Sequence, residues 1–158
     1  MCSGKTTVGK KLAKRIGWKF IDIDSVIERK EGMTIPRIFA EKGEEYFRNL
    51  EVQVLYETSK LKRFVIATGG GLGANPDALK FMKDSGFVVW LKVSFEEFMR
   101  RCGGKENRPL LKLSEFELKE LMKRREEVYS KAHLTVNDDE GEAESKVEQI
   151  LREIPFKH

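Results

Sequence analysis

Two apolar runs, "FVIATGGG" (Phe64 to Gly71) and "GFVVWLKV" (Gly86 to Val93), constrain the fold more than any other feature of the chain. Each reads as a buried strand bounded by glycine, and helical patterns lie before, between and after them. Val8, Leu12, Ala13 and Ile16 share one face of a helix that Gly17 ends. "WKFIDID" reads as a short strand running into acidic residues. From about Glu44 to Leu61 a long helix turns Phe47, Leu50, Val54 and Leu55 inward, and Pro76 to Ser85 is helical. Ser94 with Glu97, and Ser114 with Glu117, form capping boxes for two more helices. "HLTV" is a weak last strand, and Val147, Ile150, Leu151 and Ile154 mark a terminal amphipathic helix. Strands alternating with helices predict an α/β fold with a mostly parallel sheet. In such a sheet ligands sit at the carboxyl ends of the strands, and the polar motifs of this chain follow strands.

Charge and cysteine usage narrow the function classes. The 158 residues suit one domain with a real core, and 30 Lys+Arg stand against 26 Asp+Glu for a net charge of +4. The charges alternate in sign within "ERKEG" and "KRREE", which describes solvated helix faces rather than a nucleic-acid stripe. A modest positive surplus suits an anionic substrate. Cys2 and Cys102 are too few for a disulfide framework and lack metal-ligand spacing, so a reduced, cytoplasmic setting is expected. No apolar run approaches the roughly 18 residues of a membrane span, and the basic N-terminus lacks the apolar core of a signal peptide.

Four motifs carry chemistry. Gly4, Lys5 and Thr6 are the second half of the phosphate-loop pattern G-x-x-x-x-G-K-[ST]. There, helix-start amides and the helix dipole face phosphate oxygens, Lys reaches the β and γ phosphates, and the hydroxyl meets Mg²⁺. Alone, the triplet is also an ordinary helix start with an incidental lysine. Asp22 and Asp24 follow 17 and 19 residues after Lys5. Side chains two apart on a strand share a face, so one carboxylate can serve a metal and the other a hydroxyl; an N-cap cluster is the other reading. "TGGGLGAN" carries four glycines in five residues, more than a tight turn needs, and lets a ligand approach the backbone. "RCGGKENRPLLK" is a charged, glycine-rich segment between two capped helices, as lids often are, with Arg108 the candidate to neutralise phosphate charge. Arg48 and Arg125 lie on helices and by themselves read as solvated.

Taken in order, "CSGKTT", "IDIDSVIERKEGMTI", "IFAEKGEEYFRNLE", "TGGGLG", "NRPLL" and "RREEVYSKA" resemble the shikimate kinases over essentially the whole chain. "GEEYFRNLE" and "NRPLL" separate that family from nucleoside monophosphate kinases and gluconate kinases. The resemblance implies a P-loop kinase fold: a three-layer sandwich with a parallel sheet between helices, a substrate-binding segment at about 25–62 and a lid at about 102–113. It implies a cytoplasmic, monomeric enzyme that moves the γ-phosphoryl group of ATP to the 3-hydroxyl of shikimate with Mg²⁺, toward chorismate and the aromatic amino acids.

Carried over by position, Ser3, Gly4, Lys5, Thr6 and Thr7 hold the nucleotide phosphates. Thr6 ligates Mg²⁺, and Asp22 holds the metal through water. Asp24 takes the shikimate hydroxyls as base or orienting group. Arg48 and Arg125 grip the carboxylate, Gly69, Gly70 and Gly71 offer backbone contacts, and Glu51 supports the arginines. Arg108 covers the phosphates and Arg101 lies near the adenine. Some members also place an arginine near the adenine after the last strand, where this chain reads "NDDEGE". Two other readings stay open beside this one: another small-metabolite or nucleotide kinase, and an impaired P-loop remnant.

The phosphate-loop pattern puts its first glycine two residues before Met1, and the alternation wants a strand ahead of the first helix. The resemblance makes that strand central. The chain as written is therefore expected to lack it and to show a gap between "FVIATGGG" and "GFVVWLKV". Each buried aliphatic side chain lost is worth about 1.5–3 kcal/mol, against a net domain stability of about 5–15 kcal/mol. Instability or inactivity is the expected consequence.

Overall fold

The computed structural model describes residues 4–102 and 113–156. Helix α1 (Lys5–Ile16) ends at Gly17, whose φ of 72° is the left-handed cap that glycine adopts without strain. Then come β1 (Lys19–Asp22), α2 (Ile23–Glu31), α3 (Ile35–Lys42), α4 (Glu44–Ser59), β2 (Phe64–Ala67) and α5 (Gly70–Gly73). The order continues with α6 (Pro76–Ser85), β3 (Val89–Lys92), α7 (Phe95–Cys102), α8 (Glu115–Tyr129), β4 (Leu134–Asn137) and α9 (Ala143–Glu153). The alternation expected from the sequence is present, and both strand pairs are parallel: β1 with β2 from Lys19 opposite Phe64, and β3 with β4 from Val89 opposite Leu134.

Among the described residues the strands form two separate two-stranded sheets, so β2 and β3 do not pair with each other. This is the expected gap. It changes the burial of the two strands that looked most deeply placed. Ala67 is the one buried residue of β2, and Val89, Trp90 and Leu91 of β3 are half-buried. Their side chains, together with Val8, Leu12 and Ile16 of α1, line a cavity of about 1890 Å³. Among the described residues each strand has one ladder neighbour, so its other edge is not paired in a sheet.

Three apolar clusters hold the rest. Ile23, Ile27, Ile38, Phe47 and Val54 pack α2, α3 and α4 together. Val8 and Val136 meet Val147, Ile150 and Leu151, which seats α9 against α1 and β4. Val93, Phe98 and Cys102 pack on Leu118 and Met122, joining α7 to α8. Of the two expected capping boxes, Ser114 with Glu117 is complete. Ser94 does accept from the Glu97 N–H at 3.1 Å, but the Glu97 carboxylate turns to Arg100 and Arg101 instead. The charged helix faces are solvated and paired across elements, as in Lys11 with Glu144 at 2.7 Å and Lys30 with Glu57 at 2.7 Å.

Candidate active site

The strands direct their carboxyl ends to one place. Lys5, at the start of α1, donates its Nζ–H to the Thr68 carbonyl just past β2 at 3.1 Å. The same ammonium lies 3.9 Å from Asp22 and 3.7 Å from Asp24. Helix start, first strand end and second strand end thus meet around one cation. The two aspartates get there differently from the shared strand face expected from their spacing. The strand stops at Asp22, whose carboxylate caps α2 by accepting the Asp24 N–H at 2.9 Å. Asp24 belongs to the first turn of α2. The chain bends between them, because a carboxylate at the N-cap stabilises the helix start against its dipole. Both remain in reach of Lys5 despite the bend.

On the other side of the glycines stands a guanidinium. Arg48 of α4 donates to Glu51 at 2.8 Å, one helical turn away on the same face. Glu51 is 2 % exposed. Burial pushes its carboxyl above the usual range, while the bond to Arg48 pulls it back. Arg48 also lies over the rings of Phe47 and Phe39, 5.4 Å and 5.8 Å from their centroids. Its guanidinium also lies against Gly71, where an added Cβ would collide with it. At Gly69 a Cβ would touch the Asp24 and Glu51 carboxylates, both at 3.4 Å. Gly69 and Gly71 are required here for closeness, since none of Gly69, Gly70 and Gly71 has a positive φ.

Arg125 of α8 is half-buried and close enough to act on both Glu51 and Tyr129. Tyr129 donates its hydroxyl to the Gly70 carbonyl at 2.6 Å, and burial raises its pKa. Lys5, Asp24, Arg48, Glu51, Gly69, Gly70, Gly71 and Arg125 all line the same cavity. One wall carries a lysine and a helix start, suited to phosphate. The other carries two arginines, suited to a carboxylate, with an acidic group between them.

A shikimate kinase family model matches residues 1–155. The shikimate kinase of Aquifex aeolicus is 45 % identical over 98 % of this chain and 89 % of its own length. That of Persephonella marina is 43 % identical over 98 % of this chain and 94 % of its own. This chain belongs to the shikimate kinase family. Its structure agrees: the crystal structure of the Aquifex aeolicus shikimate kinase superposes with a TM-score of 0.88, 46 % identity and coverage of 96 % of this chain and 90 % of that one. The shikimate kinase from Acinetobacter baumannii in complex with shikimate gives a TM-score of 0.90 at 41 % identity, covering 96 % of this chain and 87 % of that one.

For a member of the shikimate kinase family, the sequence-derived residues divide clearly. Lys5, Asp22, Asp24, Arg48, Arg125 and the three glycines come together. Thr6 and Thr7 are exposed at the head of α1, beside Lys5. Ser3, Arg108 and nearly all of the expected lid lie outside the described residues. Arg101 is bound to Glu97 at 3.0 Å and to Asp138 at 2.9 Å. Sequence reasoning missed Asp138, which follows β4 in the stretch noted there only for lacking an arginine. Nothing local marks it out; β4 pairing with β3 brings it beside Gly4 and Arg101. Cys102, the last residue of α7, is buried, and Cys2 lies outside the described residues.

Proposed function

We propose that this site transfers the γ-phosphoryl group of ATP to the 3-hydroxyl of shikimate. The observation that carries the reading is the seating of Arg48. It is oriented by a buried carboxylate and two aromatic rings, pressed on Gly71, and shares a cavity with Arg125 and Asp24. Two arginines answer one carboxylate, and one aspartate answers a ring hydroxyl; shikimate carries both groups. Lys5 and the first amides of α1 take the phosphates. Asp24 orients the acceptor hydroxyl and receives its proton as the oxygen attacks phosphorus. Phosphoryl transfer needs little else from a protein beyond alignment and positive charge. Arg108 would add to that charge by its place in the sequence.

The donor set near Lys5 fits Mg²⁺. Among the described residues no group of three or more His, Cys, Asp or Glu side chains could hold a metal alone. Mg²⁺ keeps waters and takes one or two protein oxygens plus phosphate. Thr6 and Asp22 would hold it there, and it would neutralise charge between the β and γ phosphates when bound.

Carboxylate recognition is tested by titrating shikimate and its carboxamide in the presence of ADP. The acid should bind more tightly by roughly 2 kcal/mol or more, the scale of one partner lost from a buried charge pair. Equal affinities would remove Arg48 and Arg125 from substrate binding. No helix among the described residues is long and apolar enough to cross a membrane.

A further inference from the structure

Asp138 stands apart from the site described above, yet it touches two parts of it. Its N–H continues the sheet by donating to the Lys92 carbonyl of β3 at 2.8 Å. Its side chain is 1 % exposed. One carboxylate oxygen accepts from the Gly4 N–H at 2.6 Å and from Arg101 Nη1 at 2.9 Å. The other accepts from Lys146 Nζ, and the Asp138 carbonyl accepts from Arg101 Nη2 and again from Lys146. One buried carboxylate therefore ties the residue before α1 to the last turn of α7 and to the first turn of α9. Gly4 and Asp138 are 134 positions apart.

A buried carboxylate is costly unless its lone pairs are met by charge and hydrogen bonds. Here three donors, two of them cationic, meet the two oxygens, and the group is held ionised: burial pushes its pKa up, but Lys146, the Gly4 amide and Arg101 together bring it below the usual carboxylate range. Its oxygens are aimed. The Gly4 amide belongs to the phosphate-grip turn, and a Cβ at Gly4 would already touch the Asp138 oxygens at 3.4 Å and 3.5 Å. With that N–H engaged, the amides of Lys5, Thr6 and Thr7 are left to face phosphate. Arg101, from α7, donates to the same oxygen as the Gly4 amide.

We propose that Asp138 is a positioning residue for the nucleotide, fixing the phosphate-grip helix and Arg101 relative to one another. This rests on the kinase reading above, with Lys5 on the phosphate side. Its consequence is specific: nucleotide affinity depends on Asp138, and shikimate affinity does not. Lys146, 6 % exposed, is the counter-charge that keeps the carboxylate in place.

The test removes the ion pair as a pair. In Asp138→Leu/Lys146→Met two buried charges give way to apolar groups, so neither is left uncompensated. In Asp138→Asn/Lys146→Met an amide oxygen remains to accept from Gly4. ADP affinity is measured by titration, and KM for ATP and for shikimate by ADP release. The Leu/Met variant should lose about tenfold in ADP affinity and in KM for ATP, as for one charge-assisted hydrogen bond. KM for shikimate should stay within about twofold, well inside one hydrogen bond's worth. The Asn/Met variant should recover part of the loss, and it carries the test by itself if the Leu/Met variant does not fold. Unchanged ADP affinity in these variants, or a parallel rise of both KM values, would overturn the proposal. Because ADP titration needs no acceptor, a failure of the shikimate reading would show separately, as absent turnover in the unsubstituted protein.

Discussion

Replacing Arg48 by leucine separates what this residue does for the fold from what it does for the substrate. Glu51 keeps 2 % of its surface exposed and depends on Arg48 for a 2.8 Å charge-assisted bond. Removing one partner of a buried pair costs about 3–5 kcal/mol. The Arg48 side chain is itself 33 % exposed, so the low end, about 3 kcal/mol, applies after solvent screening. The loss should depend on pH. Burial raises the Glu51 pKa in the folded state above its ordinary 4.5. A carboxyl whose folded pKa is raised contributes stability fully below the unfolded pKa and loses it as pH climbs through the folded one. Without Arg48 that upward shift grows. Urea unfolding should therefore show a small loss at pH 5 and the full loss at pH 8. Adding Glu51→Gln removes the buried charge and should recover most of the stability at pH 8. Shikimate affinity should not return with it, because the carboxylate grip is gone. The same loss at both pH values, or shikimate binding restored along with stability, would refute the reasoning.

Asp24→Asn should abolish phosphoryl transfer while ADP affinity holds within about twofold, because Asp24 acts on the acceptor; in Lys5→Met the ADP affinity itself should fall, since one charge-assisted contact is worth about 1.5–3 kcal/mol. Gly71→Ala places a methyl against the Arg48 guanidinium, so shikimate titration should show weakened binding with ADP binding unchanged. Along β2 and β3, amides that point toward the paired strand should exchange slowly by NMR-detected hydrogen exchange, and those that point into the cavity should exchange fast. Uniform protection along β2 would show that its second edge is paired in solution.

Much of the fold was legible because its signals are local. Gly17 ends α1, "FVIA" is followed by glycines, and Ser114 with Glu117 starts α8, and each of these depends on neighbours in sequence. Burial was less legible. Val65, Ile66, Val89 and Leu91 are apolar enough for a sheet core, yet they line a cavity, because burial of a strand is decided by the strands beside it. At the site, Lys5, Asp24 and the glycines could be read from motifs. The bend that places Asp24 in α2 rather than on β1 could not, because the strand pattern and the N-cap pattern overlap on the same residues. Asp138 was invisible for another reason: a buried acid and a surface acid look alike in sequence. Only β3–β4 pairing, with Arg101 and Lys146 brought from two helices, distinguishes them.

The central claim is the identity of the acceptor. The protein should be incubated with MgATP and, in parallel, with shikimate, gluconate and a nucleoside monophosphate, and the products read by ³¹P and ¹H NMR. The account predicts a phosphate monoester on the 3-hydroxyl of shikimate, ADP in equal amount, and no transfer to the other two. Transfer to gluconate or to the nucleotide with none to shikimate would contradict it.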